Sequence, residues 1–266
     1  MTFDGMVWDS GHLHWHGLSF SLDPESPGTN ELVLWKTPAL IAQYEAFWAR
    51  EPGRVARVFE LGLWKGGSMA FWTEAFNPAR LVGVDRSPQS PSAAFDRYVA
   101  DRADRLRVYW GVDQGDARRL EALVAAEFDG PLDVVIDDAS HQYALTLSSL
   151  EALLPRLRPG GLYIIDDWAW HHWPALQQAF GSQMPLTRLV TELAEAVGTG
   201  RGLITDVSVH QGFAAVRRGP APTPSPFRLD DAIFRGAPAP VSLRHTVRDL
   251  GREIGARLRR GSVRSG

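Results

Sequence analysis

The sequence predicts an α/β fold: a Rossmann-like, doubly wound sheet of seven strands, mostly parallel, with an antiparallel hairpin at its C-terminal end. Three observations predict it. Short apolar runs alternate with helical patterns from residue 37 to residue 198, as a parallel sheet with helices on both faces requires. The first strand-like run passes into a glycine-rich turn, Gly62-Leu-Trp-Lys-Gly66-Gly67. Two later runs stop on acidic pairs, Asp137-Asp138 and Asp166-Asp167. In an open α/β sheet the ligand crevice lies past the carboxyl ends of the strands, so a turn and two acid pairs at such ends belong to one crevice.

The elements follow in order. Residues 1–30 mix Gly, Pro, Ser and aromatics without helical period, which predicts irregular chain or short strands. Residues 37–50 predict a helix, with Thr37 as N-cap, Pro38 at the first helical position and Leu40, Ile41, Tyr44, Phe47 and Trp48 on its apolar face. Strands are expected at 57–62, 80–85, 106–111, 133–138 and 161–166, and helices at 68–76, 91–103, 117–127 and 142–157. A helix follows Pro185 to Gly198. The runs 203–209 and 212–217, separated by His210-Gln211, predict the hairpin. Residues 219–226, Gly-Pro-Ala-Pro-Thr-Pro-Ser-Pro, have linker composition. The expected organisation is an N-terminal segment or lid over 1–36, a main domain over 37–218, and a linker with a basic tail over 219–266. In the tail, Val247, Leu250, Ile254 and Leu258 fall on one stripe of an arginine-rich helical pattern. Such a helix packs on the body, joins a partner subunit or touches an anionic surface; a frayed, solvated helix is the favoured reading.

Composition bounds the chemistry. The 266 residues are 44% hydrophobic and 22% charged, with a net charge of -3 and no cysteine. No global field favours nucleic acid or membranes. Disulfides, thiolate metal sites, iron–sulfur clusters and a cysteine nucleophile are excluded. No apolar run is long enough for a transmembrane segment, and the first residues carry acids where a signal peptide carries bases, so a cytoplasmic location is expected. A Gly-Lys-Ser/Thr phosphate loop is absent, since Lys65 precedes the glycines, which argues against a kinase or NTPase.

The acid pairs carry the sharpest signal. Like charges crowded at one sheet end repel unless a cation sits among them, so the economical reading is a hard divalent metal, held by oxygen ligands, with His141 beside it as a base. Each pair also has a plainer reading: Asp137-Asp138 as a helix N-cap or structural acids, Asp166-Asp167 as a solvated strand end. Their joint occurrence with His141 favours a site. The loop Trp168, Trp170, His171, His172, Trp173 either stacks on a sugar or ring or packs onto the domain. Alternation places His12, His14 and His16 on one strand face, as a zinc or iron site or, preferably, a polar face or lid. The turn, with Glu60 before it and Asp85 ending the next strand, suits a nucleoside, whose ribose hydroxyls an acid at that place accepts.

Glu60-Leu-Gly62, Gly66-Gly67-Ser68 and Gly83-Val-Asp85 resemble the cofactor site of class I S-adenosylmethionine-dependent methyltransferases. Ile136-Asp-Asp138-Ala-Ser-His141 and Ile165-Asp166-Asp167-Trp168 are similar to motifs of the metal-dependent macrocin and mycinamicin sugar O-methyltransferases, and of the rhamnosyl O-methyltransferase and cephalosporin hydroxylase-like group. The resemblance covers roughly residues 31–217. It implies S-adenosyl-L-methionine and Mg2+ as cofactors, and a hydroxyl of a sugar, polyol or natural product as acceptor. By it, Glu60, Gly62 and Ser68, with Gly66 in the same turn, line the methionine end of the cofactor. Asp85 binds the ribose, and Asp113 and Gln114 follow the third strand where adenine contacts lie. Asp138, Asp166 and Asp167 hold the metal and His141 is the base. Relatives of this kind are often homo-oligomers. Two positions depart from the pattern: Asp166 stands where relatives often have Glu, and Trp64 where many methyltransferases have a further glycine. A hydroxylating iron enzyme on the same fold, or a non-catalytic cofactor-binding scaffold, are the alternative readings. All-carboxylate ligation favours magnesium over iron.

Overall fold

The computed structural model describes residues 3–26, 30–51 and 53–233; the arginine-rich helical pattern of the tail lies outside them. The N-terminal segment forms β1 (Val7–Asp9), β2 (His12–Trp15), β3 (Leu18–Ser21) and β4 (Leu32–Val33). These make a small sheet of their own, antiparallel from β1 to β3 and parallel between β3 and β4. α1 (Pro38–Trp48) follows, with Thr37 Oγ1 accepting from Leu40 N at 3.2 Å. The alternating region runs β5 (Arg57–Leu61), α2 (Gly67–Phe76), β6 (Arg80–Asp85), α3 (Ala93–Ala100), β7 (Leu106–Trp110), α4 (Ala117–Glu127), β8 (Leu132–Asp137), α5 (Tyr143–Leu153) and β9 (Leu157–Asp166). Then come a short α6 (Gln177–Phe180), α7 (Leu186–Gly198), the hairpin β10 (Ile204–Val209) and β11 (Phe213–Arg218), and α8 (Leu229–Ala232).

The large sheet has the order β10-β11-β9-β8-β5-β6-β7. β5 to β9 pair in parallel, and β11 is antiparallel to both β9 and β10. This is the predicted architecture. The chain winds outward from β5 in one direction through β6 and β7, then returns to β8 on the other side. The switch point between β5 and β8 is where such sheets bind ligands.

Strand alternation builds two cores. Val58, Val134, Ile136, Leu162 and Ile164 face α1, α2, α3 and the small sheet, whose Leu13, Trp15, Phe20 and Leu32 are buried there. Phe59, Leu61, Val135, Tyr163 and Ile165 face α4, α5, α7 and α8. The period of two thus decides on which side of the sheet each strand-end acid emerges.

Three expectations meet a different structure. The small sheet shares its core with α1 and α2, so residues 1–36 are built into the body. The compact unit also runs past 218, to Ile233, because Phe227 and Leu229 are buried against the second core. His12 and His14 stack at 6.1 Å on β2, whereas His16 lies past the strand end in a left-handed turn (φ 50°) beside Glu74, 3.2 Å away. The three imidazoles therefore do not share one strand face. No helix among the described residues is long and apolar enough to cross a membrane.

Candidate active site

β5 ends at Leu61 and the chain turns sharply. Gly62 adopts φ 86°, and a Cβ there would sit 2.1 Å from the Asp138 carbonyl oxygen. Glycine is what allows the cofactor turn to approach the end of β8 so closely. Asp138 N in return donates to Leu61 O at 2.9 Å. At the far side of the turn, Gly66 (φ 82°) is the N-cap of α2 and offers no side-chain cap; the backbone there bridges to Val33 of β4. Ser68 follows in the first turn of α2.

Asp85, at the end of β6, accepts from Leu63 N and Trp64 N through Oδ2, both at 2.8 Å, and from Ser87 N through Oδ1 at 2.7 Å. It therefore pins the turn as well as facing the neighbouring cavity. Glu60 lies on β5, on the same face as Val58. Its side chain is fully buried, and among the described residues no donor has hydrogen-bond geometry to either oxygen. Burial, opposed by the Ser68 hydroxyl nearby, pushes its carboxyl up to about 8. Leu61, Gly62, Asp85, Val112, Asp113 and Gln114 help to line a cavity of about 310 Å³.

Period-two alternation separates the first acid pair. Asp137 faces the second core, where it accepts from Gln114 Nε2 (2.7 and 2.8 Å), Ser149 Oγ (2.8 Å) and Tyr163 OH (2.6 Å). It is a structural acid, the plainer of its two predicted readings. Gln114 is locked into this network, with Oε1 accepting from Ser140 N and Oγ; Asp113 Oδ1 accepts from Gly115 N. Asp138 emerges on the other face, with Ile136.

Asp138, His141 and Asp167 converge, each offering one polar atom within 4.8 Å of the others. Among the described residues they are the one such group of potential metal ligands. His141 (φ 54°) and Asp167 (φ 52°) both take left-handed conformations just past strand ends, which turn their side chains back toward Asp138. His141 Nδ1 lies 3.3 Å from the Asp166 carbonyl oxygen and Nε2 lies 3.9 Å from Asp138 Oδ1. With the proton on Nδ1, donated to that carbonyl, Nε2 keeps a lone pair facing the acids. Burial lowers the imidazole pKa. Burial and neighbouring carboxylates raise Asp138 to about 6 and Asp167 to about 8.

Asp166, expected beside Asp138 and Asp167 as a ligand, is engaged elsewhere. Oδ1 accepts from Tyr44 OH at 2.6 Å and Oδ2 bonds Lys36 Nζ at 2.5 Å. The reason is again alternation: Leu162, Ile164 and Asp166 share the face against which α1 packs, and α1 carries Tyr44. Lys36 Nζ also donates to Asp138 Oδ2 at 2.9 Å. Burial opposes its charge, but Asp138 and Asp166 hold the ammonium well above the usual lysine pKa. Sequence reasoning missed Lys36: a single lysine ahead of a helix cap has no periodicity, and its partners lie 102 and 130 residues away.

A second cavity, of about 280 Å³, opens over the cluster and is lined by Trp35, Lys36, Ser68, His141, Asp167 and Trp170, among others. Trp35 is 57% exposed and Trp64 40%. Trp35 stands 5.8 Å from Trp64 and 6.0 Å from Trp170, whose ring is 4.2 Å from His141. The two cavities share Gly62, Trp64, Asp138, Ala139 and Ser140 as a common wall.

Residues 59–168 match a methyltransferase-domain family. The chain is 33% identical over 177 residues to a mycinamicin VI 2''-O-methyltransferase of Micromonospora griseorubida, covering 64% of this chain and 38% of that protein. It is 34% identical over 154 residues to an 8-demethyl-8-alpha-L-rhamnosyl tetracenomycin-C 2'-O-methyltransferase of Streptomyces olivaceus, covering 55% and 37%. A solved structure of the MycE methyltransferase of the mycinamycin pathway, in complex with Mg, SAH and mycinamycin VI, superposes with a TM-score of 0.51 at 28% identity, covering 75% of this chain and 51% of that one. The chain thus spans less than two fifths of the length of these two curated relatives. Residues 59–168 thus match a methyltransferase-domain family, and the chain is similar to O-methyltransferases named for sugar-bearing natural products.

Proposed function

We propose that this chain is a magnesium-dependent O-methyltransferase that moves the methyl group of S-adenosylmethionine to a hydroxyl of a sugar on a natural product. One observation carries the reading: the cavity at the glycine turn and the cavity over Asp138, His141 and Asp167 meet at a shared wall. A methyl donor in the first and an acceptor in the second are adjacent there.

The residues present suit both groups. Glu60 is a buried carboxyl with the Ser68 hydroxyl as its polar neighbour, on the strand that feeds the turn, and an ammonium such as that of a methionine moiety would satisfy it. Glu60, Gly62, Gly66 and Ser68 would then surround the methionine end where the two cavities meet, and Asp113 and Gln114 the adenine side. Asp85 would take the ribose; its three backbone N–H bonds leave an acceptor site on Oδ1. Asp138 and Asp167 would hold the divalent ion, with Asp166 behind them. Carboxylates and open positions suit magnesium, and the single histidine of the cluster argues against the two-histidine, one-carboxylate iron site of hydroxylases.

S-adenosylmethionine supplies an activated methyl group, and a divalent ion bound beside the acceptor makes a hydroxyl more acidic. His141 Nε2, with Nδ1 fixed on the Asp166 carbonyl, takes the hydroxyl proton. The acceptor oxygen is left facing the cavity across the Gly62–Asp138 wall. Trp35, Trp64 and Trp170 present ring faces to an acceptor sugar and keep water from the proton transfer. A cytoplasmic homo-oligomer completes the reading, and light scattering on the purified chain tests the assembly.

The test is transfer of label from methyl-labelled S-adenosylmethionine to a panel of glycosides with vicinal hydroxyls. Transfer is expected with magnesium, lost with EDTA and restored by added magnesium. Turnover indifferent to EDTA would contradict the metal, and label on no glycoside would contradict the acceptor class.

A further inference from the structure

The buried ammonium in the acid cluster is not accounted for by the proposed chemistry. Lys36 enters from the small sheet: β4 bridges Val33 to Gly66, and the chain continues through Leu34 and Trp35 to deposit Lys36, whose side chain is 3% exposed. Its Nζ touches one oxygen of Asp138 and one of Asp166, at 2.9 and 2.5 Å, while Tyr44 fixes the other Asp166 oxygen. A lysine buried this deeply is retained only when opposite charges surround it. Here it bonds two carboxylates that would otherwise repel each other, one of which, Asp138, belongs to the group that converges with Asp167 and His141.

We propose that Lys36 is a positioning residue, a built-in monovalent cation that bridges Asp138 and Asp166 and limits how tightly the neighbouring Asp138–Asp167 position takes a divalent ion. The inference rests on the proposed metal site. The ammonium and the divalent ion share Asp138, so each weakens the attraction the other feels. Asp166 is held back by Lys36 and Tyr44. The site therefore carries fewer free acids than its sequence suggests.

The experiment is calorimetric titration of Mg2+ into the S-adenosylhomocysteine-saturated protein, for wild type, Lys36→Met, Lys36→Gln and Lys36→Arg. Gln retains a hydrogen-bond donor toward Asp138 without charge, and covers the case in which Met does not fold. The neutral variants are expected to bind Mg2+ at least about tenfold more tightly, since they lose a unit charge next to the site. Arg should restore the wild-type affinity. Without magnesium the neutral variants should melt below wild type, and magnesium should close that gap. A purely structural lysine predicts the opposite direction: unchanged or weaker Mg2+ binding in a folded neutral variant, and that result overturns the proposal. Binding by the neutral variants but not by wild type supports it. Binding by none of the four proteins overturns it together with the metal half of the functional reading. S-adenosylhomocysteine binding in the same samples reports the cofactor half separately.

Discussion

Replacing His141 with asparagine is expected to lower kcat by a factor of about 10²–10⁴, the usual contribution of a positioned general base, with S-adenosylhomocysteine affinity at the wild-type value. Asparagine isolates the chemistry better than alanine for two reasons. Position 141 sits at φ 54°, a left-handed conformation that asparagine tolerates far better than most residues. Its side-chain amide also places an N–H where Nδ1 now donates to the Asp166 carbonyl. The variant thus keeps the local fold and that hydrogen bond, and loses only the Nε2 lone pair that faces Asp138. Initial-rate kinetics on a labelled glycoside check it. Turnover near the wild-type rate would remove His141 from the proton transfer.

The largest effect on stability is expected at Gly62. An alanine Cβ would meet the Asp138 carbonyl oxygen at 2.1 Å and the Ala139 Cα at 2.6 Å, both backbone atoms that no rotamer change relieves. Gly62→Ala adds this clash to the cost of a left-handed alanine, about 1–2 kcal/mol. A total on the order of 3–4 kcal/mol follows once the turn and the end of β8 are forced apart. In a chain this size that lowers Tm by roughly 6–16 °C. Gly111→Ala is the matched control: it has φ 72° and no atom within 4 Å of where a Cβ would stand, so it carries the backbone cost alone. Thermal melts of the pair separate the two contributions, and equal losses would mean that the close approach of the turn to Asp138 is not what position 62 provides. The approach matters for function because the same contact joins the two cavities.

Much of this was legible in the sequence because it is periodic or local. The alternation of apolar runs and helical patterns fixed the seven-stranded sheet, and Thr37, the glycines and the strand-end acids announced their positions by type and spacing. Period two even sorts Asp137 from Asp138, since Val135 and Ile136 already face different cores. What escaped is non-local. Lys36 and Tyr44 reach Asp166 across 130 and 122 residues, and neither carries a pattern that points there. Asp85 was legible as an acid at a strand end, but its three bonds to backbone N–H groups of the turns beside it depend on how the turn folds back over β6. His16 was placed with His12 and His14 by counting. The strand stops at Trp15, and the next residue turns away. Short strands were expected in the N-terminal segment, but their pairing into a sheet was not legible, because strands of two to four residues carry too little pattern to set a register.

The central claim is that a methyl-donor cavity and a divalent-ion site share one wall. Calorimetric titration of S-adenosylhomocysteine into wild type, with and without Mg2+, and into Asp138→Asn, tests it most directly. Asp85→Ala is a poorer probe, because losing its carboxylate also releases the turn. The account predicts one S-adenosylhomocysteine site per chain in wild type, an Mg2+ site in the saturated protein, and loss of Mg2+ binding with retained S-adenosylhomocysteine binding in Asp138→Asn. No S-adenosylhomocysteine binding to wild type in either condition would contradict it.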